Sequence, residues 1–251
     1  MTGPAINKRQ LDIHEVQKSP AMTQPKNKPG HNRQHSLYTF GEELANAVTH
    51  GIGAILGIAA LIALVLLALT HDDPVRLAAA ITYGVSLILL YLASTLYHSV
   101  PGKRAKVLLQ KLDHAAIYVL IAGTYTPVLL ISMKGAWGYT LMVVVWSIAV
   151  FGVFFKFFMH DRFEKLSLFT YIAMGWIIVL AVSELLISVP PGGLLFLLAG
   201  GLAYTLGTIF YANNRIPYNH AIWHLFVLAG SVFHFIAIFY YVMPTSGNLT
   251  I

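Results

Sequence analysis

Ser94 and His98 close one apolar segment of this chain, Asp113 opens the next, and His220 with His224 opens the last. Ionisable groups in lipid-embedded segments are costly, and they mark function by default. Residues four apart stand one turn apart on a single helix face. His220 and His224 can therefore turn two imidazoles toward one ion, and Ser94 sits one turn from His98 on the face His98 presents. Three histidine ligands with no fourth protein ligand leave a position for water, as in catalytic rather than structural zinc sites. Zinc there lowers the pKa of bound water to about 7 and polarises a carbonyl. Asp113 could orient or deprotonate that water. Taken alone, His98 equally suits a helix-end histidine at headgroup level. The three histidines together with Asp113 read as a metal site.

The segments that must position these residues are apolar. Of 251 residues, 57% are hydrophobic and 10% charged, far below the roughly 25% charged residues of soluble domains. Runs of about 20 apolar residues recur, each long enough for a hydrocarbon core about 30 Å thick. There is no cysteine, which excludes disulfides and thiolate ligands. The polar start of the chain shows no cleavable signal peptide.

Residues 1–36 hold Pro4, Pro20, Pro25, Pro29 and six Lys or Arg, and are expected to form a disordered basic tail. Residues 37–251 are expected to be an all-α bundle of seven transmembrane helices. The spans run from Leu44 to Thr70, Val75 to His98, Asp113 to Met133, Trp137 to Phe158, Leu166 to Val189, Leu194 to Ala212 and Pro217 to Met243. Pro127 is a kink within the third, and Pro217 suits the first turn of the seventh. Between spans two and three, Lys103 to Leu112 alternates basic and apolar residues, the pattern of a short amphipathic turn lying in the interface.

Lys and Arg divide unevenly between the two faces. The tail and the loops after spans two, four and six carry fourteen, against Arg76 and Lys134 opposite. This predicts a cytoplasmic N-terminus and an external C-terminus. No basic patch with interleaved aromatics suggests nucleic acid.

With that topology, His98, Asp113, His220 and His224 share the cytoplasmic end of the bundle although they come from distant parts of the chain. Glu42, Asn46 and His50 step by four along span one and also begin there, so supporting roles around the ligands are expected of them. His114 follows Asp113 and points about 100° away. His234 lies ten residues beyond His224, about 15 Å deeper at 1.5 Å per residue. It cannot share an ion bound at about 2 Å, which leaves a hydrogen-bonded core histidine or part of a polar path.

At these residues the sequence resembles the haemolysin III group, the bacterial branch of the progestin and adipoQ receptor family, itself related to alkaline ceramidases. The matching stretches are Glu42-x-x-x-Asn46-x-x-Thr49-His50, Ser94-x-x-x-His98, Asp113-His114, Gly123-Thr124-Tyr125-Thr126-Pro127, and His220-x-x-x-His224 followed by His234. The resemblance implies seven helices with a cytoplasmic N-terminus in a bacterial cell membrane. It implies zinc on His98, His220 and His224, with Asp113 and Ser94 contacting the zinc-bound water. Lipid-amide hydrolysis is associated with some relatives, and receptor or membrane-homeostasis roles with others. Two classes stay open: a zinc hydrolase of a lipid amide, and a non-enzymatic sensor of membrane state with a structural zinc. In both, the partner is a membrane lipid or lipid-derived ligand.

The charge asymmetry makes a direct prediction. A reporter fused after Ile251 is expected to behave as exported, and one inserted between Lys103 and Lys111 as cytoplasmic. A cytoplasmic signal at Ile251 would mean the span count is wrong.

Overall fold

A computed structural model describes residues 1–3, 38–158 and 164–244, and its helical body lies within Ser36–Ile251. The predicted disordered tail falls almost wholly outside the described residues, as does Ile251.

The first helix, α1 (Phe40–Leu69), starts where Thr39 and Glu42 cap each other's backbone N–H, the reciprocal arrangement of a capping box. α2 (Pro74–Ser99) starts on Asp73, whose carboxylate accepts from the N–H groups of Val75 and Arg76, with Pro74 in the first turn where its missing donor costs nothing. α3 runs from Lys103 to Pro127 and widens into a π-helical turn over Val128–Ser132. α4 covers Ala136–Phe158. α5 (Glu164–Gly175), a 3₁₀ turn (Ile177–Ala181) and α6 (Val182–Ser188) together make one interrupted span. α7 (Pro191–Ala212) and α8 (Asn219–Ala237), the latter extended by a π turn over Ile238–Val242, complete the chain. Among the described residues, seven helical spans are long and apolar enough to cross a membrane, with no strand.

Three local expectations are corrected. Lys103–Leu112 is not a separate interfacial turn: it is the continuous start of α3, so Asp113 lies ten residues inside that helix. Pro217 stands outside α8, because Tyr218 adopts a left-handed backbone with φ 56°. Its N–H goes to Glu42 Oε1 at 3.2 Å rather than into a helical turn. The fifth span breaks without a proline. The Tyr125 hydroxyl donates to the Gly175 carbonyl at 2.8 Å and accepts from the Ile178 N–H at 3.2 Å, replacing the lost backbone bonds from a neighbouring helix. Pro127 changes the helix geometry of α3 where a kink is expected, since it cannot donate to the preceding turn.

Successive helices α1 to α4 pack side by side, α7 packs on α8, and α8 also returns to α1. Small residues set these seams, as in membrane bundles where close backbone approach replaces the hydrophobic effect. Gly53 faces the Tyr91 ring, Gly84 faces Leu61, and Gly230 faces the Tyr204 ring. At the end of the bundle away from His98, buried Arg76 donates to the Met243 carbonyl and holds the close of the last span against α2.

The α1–α2 seam is therefore intolerant of volume at one point. A Cβ on Gly84 would stand 2.9 Å from Leu61 Cα, whereas one on Gly51 meets only a methyl at 3.8 Å. Gly84→Val is expected to destabilise the detergent-solubilised protein by about 1–3 kcal/mol, seen as a lower thermal midpoint, while Gly51→Ala leaves the midpoint unchanged or raises it.

Candidate metal centre

α2 ends with His98 on its inner face, and α8 begins with His220 and His224 one turn apart. Because α8 packs against α1 and α1 against α2, the three rings meet. One nitrogen of each lies within 4.8 Å of the other two, and all three residues are buried. Ring centroids are 5.1 Å apart for His98–His220, 5.2 Å for His98–His224 and 4.5 Å for His220–His224.

Hydrogen bonds fix which nitrogens are available. His98 Nδ1 lies 2.6 Å from Glu43 Oε2, and a carboxylate only accepts, so Nδ1 carries the proton. His224 Nδ1 lies 3.2 Å from the Asn46 carbonyl, which imposes the same tautomer. The Nε2 atoms of His98, His220 and His224 are all buried with no hydrogen-bond partner. Buried polar atoms are paired in folded proteins. Three bare imidazole nitrogens turned to one point, two of them oriented through their far nitrogen, are the arrangement in which metal-ligating histidines are held. The donor set fits a borderline cation such as zinc.

The surrounding residues divide unequally. Ser94 and Asp113 are buried, with Ser94 Oγ and Asp113 Oδ2 unpartnered, and Asp113 stands within reach of both Ser94 and His98. Asn46 contacts two of the histidines: its carbonyl accepts from His224, and its amide nitrogen lies 3.4 Å from His98 Nδ1. His50 stacks flat on His224, with centroids 3.4 Å apart and planes at 12°. Glu42 does not join them. Its carboxylate accepts from the N–H groups of Thr39 and Tyr218. It thus fastens the start of α1 to the turn that leads into α8, without touching a ligand histidine. The carboxylate on His98 is the adjacent Glu43, whose second oxygen accepts from Lys106 at the start of α3.

Glu43 and Lys106 are the residues that sequence reasoning missed. Tyr38, just before α1, was missed as well. It packs its ring 5.1 Å from His220 and 6.1 Å from His98. Burial, and then the nearby Glu43 carboxylate, raise the pKa of its phenol and keep it neutral. His114 faces α4 and α5 beside Lys156 and Glu164. His234 bonds the Leu197 carbonyl at 3.1 Å through Nε2, well removed from the triad.

A cavity of about 130 Å³ runs from His50 and Asp113 into the bundle between α3, α5, α7 and α8. Its walls are chiefly apolar, including Leu90, Ile117, Leu120, Leu168 and Val227.

Comparison with known proteins agrees with this geometry. The family model described as haemolysin-III related matches residues 38–235. The chain is 50% identical to Hemolysin-3 of Bacillus cereus over 82% of its length and 94% of that protein. It is 48% identical to a Hemolysin-3 homolog of Bacillus subtilis over 82% of its length and 96% of that protein. It is 32% identical to the human monocyte to macrophage differentiation factor over 81% of its length and 85% of that protein.

The two adjacent glutamates give a selective test of the centre. Glu43→Gln removes the charge that orients His98 and is expected to weaken metal affinity by roughly 10–100-fold, read by competition with a chromogenic chelator. Glu42→Gln keeps one of the two acceptor oxygens and touches no ligand histidine, so its effect on affinity should be much smaller. Equal affinities for the two variants would remove Glu43 from the site.

Proposed function

This chain belongs to the haemolysin-III-related family of integral membrane proteins, and from that premise we propose that it holds zinc on His98, His220 and His224 and hydrolyses a lipid amide. The observation that carries the reading is the set of three buried, unpartnered Nε2 atoms together with the unpartnered carboxylate oxygen of Asp113, a residue that also lines the apolar cavity. The proposal also includes the topology: N-terminus in the cytoplasm, C-terminus outside, in the bacterial cell membrane, with the site toward the cytoplasmic end. The Lys/Arg asymmetry supports it.

Zinc bound to the triad would supply Lewis-acid activation of a water and of the amide carbonyl. The protein's own residues do the rest. Asp113 receives the proton of the attacking water as general base and returns it to the departing amine, so that a C–O bond forms as the C–N bond breaks. The Ser94 hydroxyl orients the reacting oxygens next to Asp113. The apolar cavity takes the acyl chain and excludes bulk water, so the reacting groups interact in a low dielectric.

A second reading, a sensor of membrane state with a structural zinc, is favoured by one observation. The fifth span is interrupted at Gly175–Ile178, where the Tyr125 hydroxyl bonds both the Gly175 carbonyl and the Ile178 N–H. A ligand in the adjoining cavity could shift that joint without any chemistry.

Asp113→Asn separates the two. The three imidazoles remain, so zinc content by elemental analysis should stay near one per chain, while fatty-acid release falls by roughly 10²–10⁴-fold. Full turnover in the Asn variant would eliminate Asp113 as base. No release by the wild-type protein, zinc-loaded and given a broad panel of N-acyl amides, would favour the sensor.

A further inference from the structure

Among the described residues, residues at both ends of the cavity carry buried polar atoms with no hydrogen-bond partner. At the metal end they are both ring nitrogens of His50 and Asp113 Oδ2; at the inner end, it is Nδ1 of His234. The other polar side chains of the inner half are satisfied within the protein. Thr124, Thr205 and Thr208 donate to carbonyls of their own helices. Tyr125 bridges the broken span, Trp176 donates to Thr205, and Tyr204 shares a bond with Ser231.

The tautomer at His234 is determined. Nε2 faces the Leu197 carbonyl at 3.1 Å, and a carbonyl only accepts, so Nε2 carries the proton and Nδ1 is a bare acceptor. An acceptor buried in an apolar wall needs a donor. We propose that His234 marks a second polar subsite, which receives a hydroxyl carried far along the acyl chain of the ligand.

The inference rests on the lipid reading of the cavity given above. The separation follows from α8: ten residues at about 1.5 Å place His234 roughly 15 Å from the His224 level. An extended alkyl chain advances about 1.3 Å per carbon, the axial projection of a bond of about 1.5 Å. The hydroxyl therefore falls near the twelfth carbon. A ketone at the same carbon offers no donor and gains nothing from Nδ1.

The test uses the full-length zinc-loaded protein in detergent and the free fatty acids stearate, 12-hydroxystearate and 12-ketostearate, with binding followed by fluorescence of the cavity tryptophans. The hydroxy acid should bind roughly tenfold more tightly than either of the others, about the net worth of one hydrogen bond. Moving the hydroxyl to carbon 3 or 7 should abolish the preference. His234→Leu should erase it while leaving zinc content intact. A flat series in the wild-type protein, a preference for the ketone, or binding of none of the acids overturns the subsite, and the positional series does so without relying on a variant that folds. A hydroxyl preference in a protein that releases no fatty acid from any amide retains the subsite and removes the hydrolase.

Discussion

Everything at the core of this molecule depends on the cost of leaving an imidazole nitrogen bare in a hydrocarbon-embedded bundle. A polar atom withdrawn from water without a hydrogen bond costs on the order of several kcal/mol, and no solvent is at hand in the membrane to repair the loss. Here three such nitrogens face one another, while the far nitrogens of two of the rings are committed to Glu43 and to the Asn46 carbonyl. Binding a cation there exchanges three deficits for three coordinate bonds. The commitments on the far side stop the rings from turning away to find other partners.

Those commitments require three helices to stay in register, which is where the glycine seams act. α1 supplies Glu43 and Asn46, α2 supplies His98, and α8 supplies the remaining histidines. α1 must therefore lie close to both α2 and α8. Gly53 and Gly84 let α1 and α2 approach until Tyr91 and Leu61 fill the space a Cβ would need. Glu42 ties the start of α1 to the left-handed turn at Tyr218, and that turn sets the rotation at which His220 enters the bundle. A residue that touches no ligand histidine thus fixes the element that carries two of them.

The parts legible in the sequence were those that need no knowledge of partners. The seven spans follow from length and hydropathy, and the meeting of His98, Asp113, His220 and His224 follows from span polarity and i, i+4 spacing. The four-residue stripe of Glu42, Asn46 and His50 left out the neighbouring Glu43, which is the carboxylate on His98. A local signal separates the two glutamates: Thr39-x-x-Glu42 is a capping box, which commits Glu42 to the helix start and leaves Glu43 for His98. The break in the fifth span had no comparable signal, since the hydroxyl that permits it comes from Tyr125, some fifty residues earlier. Lys103–Leu112 was split from α3 because amphipathicity marks an interface equally well for a separate turn and for the first turns of a long helix.

The continuity of α3 also bears on the chemistry. Lys106 near its start balances the Glu43 charge, Asp113 ten residues in stands beside the histidine triad, and Thr124 and Tyr125 form the cavity wall about three turns further. One rigid helix therefore sets the distances between the polar end, the carboxylate and the apolar cavity. The fifth span across the cavity is interrupted between Gly175 and Val182. A continuous helix on one side thus places Asp113 relative to the histidines, opposite a span whose helix is interrupted. For the hydrolase proposed above, that asymmetry would keep the reacting groups preorganised while a lipid enters and leaves. The histidines and the carboxylates nearest them lie on α1, α2, α3 and α8.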